Sequence, residues 1–333
     1  MDNNPLISVV MSVYNEQENW LIEAIESILD QTYRKFEFII ILDNPGNVNL
    51  KNIIKKYAAI DKRIKFVENK ENIGLVQSLN RAIKSCNGEF IARMDADDIS
   101  MKNRLEKQLG ILKENPQIDL IGTNVIQIDE HGNEIKRLEN IIDDFVLIKK
   151  LLKITNVFYH PTWMFRKRLV QDLGGYRDVP FAEDYDFVCR AISNGYKLIN
   201  INEYLLKYRI RNNSISRENQ LLQMNVARYI GYLYKKNKMD ICERDMYENI
   251  NNIINSIGEK DINKFNKANL IFENGIRFLK NRKLFYGGFL ILLSCLKSKY
   301  IFYKIYNIFS FKIIMNFTRK QKKEVLFMSI LLR

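Results

Sequence analysis

Residues 90–98 read Phe-Ile-Ala-Arg-Met-Asp-Ala-Asp-Asp, an apolar run that ends in three carboxylates. The run predicts a buried strand at residues 90–94, and the acids follow it directly at Asp95, Asp97 and Asp98. Carboxylates this close together repel one another unless a cation or a basic side chain offsets their charge. A divalent cation that bridges phosphate oxygens would do so, because hard cations prefer oxygen ligands. The alternative is that the acids begin a helix at residue 99, although one helix cap needs only one acid.

Upstream of this strand, apolar runs of strand length alternate with segments of helical periodicity. Predicted strands cover residues 6–12, 36–42 and 64–67, and predicted helices cover residues 16–29, 51–59 and 75–85. Strands separated by such helices indicate an α/β fold, a Rossmann-like and mainly parallel sheet with helices on both faces. Ligands of these sheets bind beyond the carboxyl ends of the strands. Polar residues follow three of those ends, at 12–15, 43–44 and 95–98, so we expect them to line one crevice.

Composition and length set the domain organisation. The 333 residues suggest about two domains, which we place at residues 1–215 and at a helical, basic region of residues 216–333.

Four cysteines without paired spacing indicate a reducing compartment, and two histidines argue against a His/Cys zinc site. The polar start at residues 1–5 lacks the basic segment of a secretory signal, so we expect a cytoplasmic protein.

The charge lies at one end of the chain. Of the net charge of +13, residues 277–333 carry +12, from 13 basic residues and one acid. The apolar run at residues 284–296 is shorter than the ~20 residues that span a bilayer. Aromatic residues mixed with Lys and Arg are typical of a helix on an anionic membrane surface, although an ordinary helical subdomain with a solvated basic face is the alternative.

Two function classes account poorly for the residues described so far. Binding to nucleic acid would explain the basic end but would leave the acidic motifs without a role, so we expect no nucleic-acid partner. A nucleotidyltransferase should carry a glycine-rich phosphate loop after the first strand, and residues 12–15 read Ser-Val-Tyr-Asn instead.

A second acidic pair, Glu183 and Asp184, lies at a predicted turn-to-helix junction. One of these acids can cap the helix. Alternatively, a carboxylate held near an acceptor hydroxyl can take its proton as a general base. The spacing alone leaves both interpretations open.

In their order along the chain, these motifs resemble the family 2 glycosyltransferases over residues 5–215. The motifs are residues 7–16, 37–43, 72–74, Asn80, 94–98, 104–106, 160–162, 174–176 and the pair Glu183-Asp184. The resemblance implies a GT-A fold and a role of the bacterial polysaccharide-biosynthesis type. It also implies inverting transfer from a nucleoside-diphosphate sugar, commonly a UDP-sugar, with Mn²⁺ or Mg²⁺. The implied acceptor is a glycan or a lipid-linked saccharide, which favours a peripheral position on the inner face of the cell membrane.

The resemblance also implies roles for individual residues. Asp184 would be the catalytic base, and Asp97, helped by Asp98, would bind the metal. Arg93 would pair with phosphate or with a neighbouring Asp. The nucleoside would contact Tyr14, Asn15, Glu16, Asp43 and Asp95.

Three positions depart from the family pattern. Residues 42–46 read Leu-Asp-Asn-Pro-Gly where Asp-Asp-Gly-Ser is usual, so one acid is missing at Leu42. Val188 stands where a Trp is frequent, and Arg211 where many relatives carry a His. A guanidinium cannot bind a metal but suits phosphate, so we expect Arg211 to contact the diphosphate. These departures also leave open a non-catalytic or altered homologue that binds sugar nucleotides. For His160 we favour a hydrogen-bonded core position over an acceptor contact.

Overall fold

The computed structural model describes residues 4–138, 144–211 and 219–331, with side chains described up to residue 316. Contacts divide the chain into two compact units. The first comprises Met1–Ile148, Asn156–Asp178 and Glu183–Ser214, and the second Lys149–Thr155, Val179–Ala182 and Ile215–Arg333. The domain boundary expected between residues 215 and 216 lies outside the described residues.

The first unit is built on one nine-stranded sheet with the order β3-β2-β1-β4-β8-β6-β9-β5, and β7 pairs with β6. The strands are β1 (Ile7–Val13), β2 (Phe36–Leu42), β3 (Ile64–Glu68), β4 (Phe90–Asp95), β5 (Ile99–Ser100), β6 (Leu120–Ile128), β7 (Glu134–Leu138), β8 (Met164–Arg166) and β9 (Leu198–Arg209). Strands β3, β2, β1 and β4 are parallel, as predicted, whereas β5, β7 and β8 each pair antiparallel with their neighbours. The α/β class is therefore confirmed, and the second half of the sheet is mixed.

Helices connect the strands, the first three of them close to their predicted positions. They are α1 (Glu18–Leu29), α2 (Val48–Ile60), α3 (Gly74–Lys84), α4 (Arg104–Glu114), α5 (Phe145–Leu151), α6 (Lys167–Asp172) and α7 (Glu183–Ser193), with a short 3₁₀ turn at His160–Thr162. All seven residues of β2 are buried, because helices cover both faces of a parallel sheet.

The segment after the acidic motif differs from the helix that we considered at residues 99–105. Ile99 and Ser100 form β5, which pairs with Lys207 and Leu206 of β9, and α4 begins only at Arg104. The three aspartates therefore do not cap α4. The reason is that the apolar Ile99 adds to a sheet edge formed by a strand more than 100 residues later in the sequence.

The second unit contains the helices α8 (Gln220–Lys235), α9 (Glu243–Asn255), α10 (Glu259–Lys280), α11 (Leu284–Lys297) and α12 (Lys299–Leu331). Its core includes Leu221, Phe265, Phe272 and Ile301. None of the helices, over the residues described, is long and apolar enough to cross a membrane.

Candidate active site

The carboxyl ends of the parallel strands bring the predicted segments together. In the sheet register Ser12 lies beside Asp95, and Val13 lies beside Leu42. The residues that follow β1, β2 and β4 therefore leave the sheet at one edge, where parallel α/β sheets bind their ligands.

Three carboxylates form the acidic cluster, which consists of Asp95, Asp97 and Asp98. One oxygen from each lies within 4.8 Å of the others. Two arginines pair with the cluster: Arg93 Nη2 is 2.5 Å from Asp95 Oδ1, and Arg211 Nε is 2.8 Å from Asp97 Oδ2. The sequence placed Arg93 beside phosphate or a neighbouring Asp, and the structure shows the pair with Asp95.

Asp98 is the most enclosed member of the cluster. Its Oδ1 accepts the backbone N–H of Arg209 at 2.9 Å, while its buried Oδ2 has no hydrogen-bond partner among the described residues. Burial, and then the charges of Asp97 and Asp95, raises the pKa of Asp98 well above its usual value. Burial and Asp95 also raise the pKa of Asp97 to about 7, against the effect of Arg211.

These carboxylates fit a hard divalent cation. An unpartnered buried carboxylate oxygen is costly, and a cation would both bind it and offset the repulsion within the cluster. Oxygen ligands of this type suit Mg²⁺ or Mn²⁺.

Arg209 holds the acidic segment in place and was not singled out by the sequence analysis. Its Nε donates to the carbonyl of Asp97 at 2.8 Å, and its Nη1 donates to the carbonyls of Asp129 and Glu130. Its Nη2 pairs with Glu23 of α1 at 2.5 Å. The sequence cue to this role was an arginine at the end of a long strand, but the four groups that its side chain contacts lie far away in the sequence.

The segment after β1 faces the acidic cluster. Glu16 Oε2 accepts the backbone N–H of Tyr14 at 2.8 Å, and the side chains of Tyr14 and Asn15 are exposed. Burial raises the pKa of Glu16, the Tyr14 N–H and Arg211 oppose that rise, and the charge of Asp95 adds to it. These side chains are available to a ligand at this edge.

Asp43 follows β2 and is 3% exposed. Its Oδ1 accepts from Asn69 Nδ2 at 2.6 Å and from the N–H of Ile73 at 2.9 Å, and its Oδ2 accepts the N–H of Gly74 at 2.9 Å. Asp43 therefore stabilises the first turn of α3, a role that the sequence analysis missed. A contact between Asp43 and the nucleoside stays a prediction.

The second acidic pair lies in the first turn of α7. Asp184 Oδ2 accepts from Asn156 Nδ2 at 2.9 Å, and Asp184 Oδ1 accepts the N–H of Tyr185 at 2.6 Å. Burial raises the pKa of Asp184 to about 6, and the Tyr185 N–H, Arg93 and Asn156 oppose that rise. Burial and Asp184 raise the pKa of Glu183 to about 7.

Arg93 acts electrostatically on both acidic groups. The residue is 3% exposed, and it lowers the pKa values of Asp98, Glu183 and Asp184. Its Nε and Nη1 are buried and find no hydrogen-bond partner in the part of the chain that the structure describes. Two nitrogens of this buried arginine therefore lack a hydrogen bond within the described residues.

His160 is a core residue, as favoured from the sequence. It is 7% exposed, and its Nε2 lies 2.8 Å from the hydroxyl of Tyr176. Burial, together with the charge of Arg93, lowers the pKa of His160 well below its usual value.

A clamp around the turn at Gly174 and Gly175 positions α7. Asn80 accepts the N–H of Tyr176 and donates to its carbonyl, at 2.9 and 2.8 Å. Gly175 has φ of +92°, and a Cβ there would lie 2.6 Å from Asn80 Oδ1, which explains the glycine. Arg190 of α7 donates to the carbonyl of Gly175 at 2.8 Å and so ties the helix to this turn.

Comparison with known proteins assigns the family. Residues 8–174 match the family model described as Glycosyl transferase family 2. The chain belongs to this family. It is 41% identical over 244 residues to an uncharacterized glycosyltransferase of Methanocaldococcus jannaschii, covering 72% of this chain and 83% of that one. It is 33% identical over 215 residues to the amylovoran biosynthesis glycosyltransferase AmsE of Erwinia amylovora, covering 64% and 79%.

Solved structures show the same fold. S. aureus TarS 1–349 in complex with UDP-GlcNAc matches with a TM-score of 0.56 at 17% identity, over 95% of this chain and 92% of that one. The mannosyltransferase PcManGT from Pyrobaculum calidifontis, in complex with GDP-Man and Mn²⁺, matches with a TM-score of 0.55 at 17% identity, over 89% and 88%. The chain is thus a glycosyltransferase of GT-A fold with a helical C-terminal region.

Proposed function

We propose that this glycosyltransferase moves a sugar, with inversion, from a UDP-sugar to a hydroxyl of a glycan or lipid-linked saccharide. The observation that carries the proposal is the acidic cluster, with the unpartnered oxygen of Asp98, at the carboxyl edge of the parallel strands. Two proteins of the same fold bind UDP-GlcNAc and GDP-Man, which supports a nucleoside-diphosphate donor at this edge.

The donor would lie along the edge that begins at β1. Tyr14, Asn15, Glu16, Asp43 and Asp95 would contact the nucleoside. Asp97 and Asp98 would hold Mn²⁺ or Mg²⁺, which offsets the negative charge of the leaving diphosphate. Arg211 would leave Asp97 and donate to the diphosphate, because its planar fork suits phosphate oxygens.

Asp184 would act as the general base. It takes the proton of the acceptor hydroxyl, whose oxygen attacks the anomeric carbon on the side opposite the departing UDP. A base with a pKa of about 6 is ionised at neutral pH and still accepts a proton readily. Single displacement inverts the anomeric carbon, so an α-linked donor gives a β-linked product.

The basic C-terminal region would place the enzyme at the inner face of the cell membrane. This part of the proposal rests on the charge of +12 carried by residues 277–333. The anionic inner leaflet would attract that region, and a lipid-linked acceptor would lie in the same leaflet.

The test is nucleotide release from a panel of UDP- and GDP-sugars by the purified protein, with and without Mn²⁺. We expect metal-dependent release from a UDP-sugar and a loss of at least about 100-fold in Asp184→Asn. The exposed Asp30→Asn serves as the matched control and should keep full activity. No turnover of any sugar nucleotide by the wild type would favour the non-catalytic homologue instead.

A further inference from the structure

Helices α11 and α12 carry unusually exposed apolar side chains. On each helix four large residues recur at intervals of four, three and four, so they lie on one side of the helix. All eight are between 58 and 98% exposed. We call them the two outer stripes: Phe285, Phe289, Leu292 and Leu296 on α11, and Phe302, Tyr306, Phe309 and Ile313 on α12.

The opposite side of α11 makes the packing contacts. Gly287 lies against α10, where an added Cβ would come within 2.9 Å of the carbonyl of Gly275. Ser294 and Cys295 are buried on the same side. The outer stripe of α11 is therefore turned away from the core of its unit, and soluble monomers rarely leave so large an apolar patch uncovered.

The charges around the stripes indicate what covers them. Residues 274–316 contain eight Lys or Arg and no Asp or Glu. Among them Lys283, Lys297, Lys299 and Lys312 are exposed on the two helices or directly beside them. Lys304 is an exception, because its Nζ donates to Asn269 Oδ1 at 2.6 Å.

We infer that the two outer stripes and the lysines beside them form a face that binds the surface of an anionic lipid bilayer. Apolar side chains enter the boundary between headgroups and acyl chains, and lysines pair with the anionic headgroups. A second copy of this chain fits less well, because contact through the same face would bring two strongly positive surfaces together. The inference deepens the proposed membrane location, and its test does not depend on sugar transfer.

The test is flotation of the full-length protein with vesicles of phosphatidylcholine alone, or with about a quarter phosphatidylglycerol. We expect binding to the anionic vesicles that weakens at high salt, and little binding to the neutral ones. Phe285→Ser with Phe289→Ser should lower the partition coefficient at least about tenfold, because the variant lacks two rings that would enter the apolar part of the bilayer. Lys297→Gln with Lys299→Gln should lower it about fivefold per lysine on anionic vesicles only.

A matched control is Ile60→Ser with Val48→Ser, which removes two exposed apolar side chains from α2. This variant should bind vesicles like the wild type. Equal binding by the wild type and the phenylalanine variant, or no binding by the wild type, would overturn the inference. It would also be overturned if sedimentation showed a lipid-free dimer that the phenylalanine variant converts to a monomer. None of these outcomes would alter the nucleotide-release assay, which tests the proposed function separately.

Discussion

The pKa of Asp184 sets the expected pH dependence of the enzyme. Burial raises this pKa to about 6, and the base must be ionised to accept a proton. We therefore expect kcat to fall as the pH is lowered through about 6 and to be level above it. A pH–rate profile with saturating donor measures this, and a profile without an acid limb between pH 5 and 7 would argue against Asp184 as the base.

The same shift predicts a stability effect of Asp184→Asn. Burial raises the pKa of Asp184 in the folded state from 3.8 to about 6. At pH values above about 6 the ionised carboxylate therefore lowers the stability of the folded state. The amide removes this cost, so the variant should gain about 1–3 kcal/mol at pH 7.5. The gain should shrink as the pH falls through 6 and vanish below about 4. Urea unfolding at both ends of this range checks the sign.

Arg211 pairs with Asp97, so two affinities of an Arg211 variant should move in opposite directions. Arg211→Gln frees the carboxylate, and we expect Mn²⁺ alone to bind about threefold to tenfold more tightly. The same change would remove the charged donor that we propose for the diphosphate, so UDP in the presence of Mn²⁺ should bind about tenfold more weakly. Isothermal titration measures both affinities. Parallel changes in the two would show that Arg211 does not exchange between these partners.

At the scale of elements, a buried ion triad stabilises α7, the helix that carries Asp184. Asp186 is fully buried between Arg177 and Arg190, with Arg190 Nε 2.8 Å from its Oδ2. Asp186→Asn leaves two enclosed guanidinium groups without a counter-charge, and we expect a loss of about 3–5 kcal/mol in the free energy of unfolding. Glu134→Gln, which removes an exposed partner of Arg137, should cost less than about 1 kcal/mol. Chemical denaturation of both variants compares the two pairs.

The helices and parallel strands were largely predictable as elements. β2 has the predicted bounds, and α3 differs from its prediction by one residue at each end. Their signals are local, because apolar periodicity over one segment decides them. β5 and β8 have two and three residues, and such short strands form only where a distant strand offers its edge.

For the whole molecule, metal and nucleotide should stabilise the protein together. Ligands that bind only the folded state raise its stability according to their concentration and affinity. We expect UDP with Mn²⁺ to raise the Tm by more than the sum of the two separate shifts, since the proposed site would have the diphosphate and the acidic cluster share the cation. Thermal-shift curves with UDP, GDP and their sugars, each with and without Mn²⁺, measure this. Purely additive shifts would contradict a shared cation.

The sequence by itself determined the α/β class, the parallel strands and the acidic segment at the end of β4, because short-range patterns encode each of them. Only the tertiary structure decided which side chains and backbone groups contact these segments. Arg209 on the acidic segment, Asn156 on Asp184 and the amides of α3 on Asp43 all join residues at least 28 positions apart. No local pattern specifies such pairs, since they depend on how strands and loops meet after folding. Likewise, the spacing of Phe285 and Phe289 was visible in the sequence, but only packing against α10 decided which side of α11 faces outward.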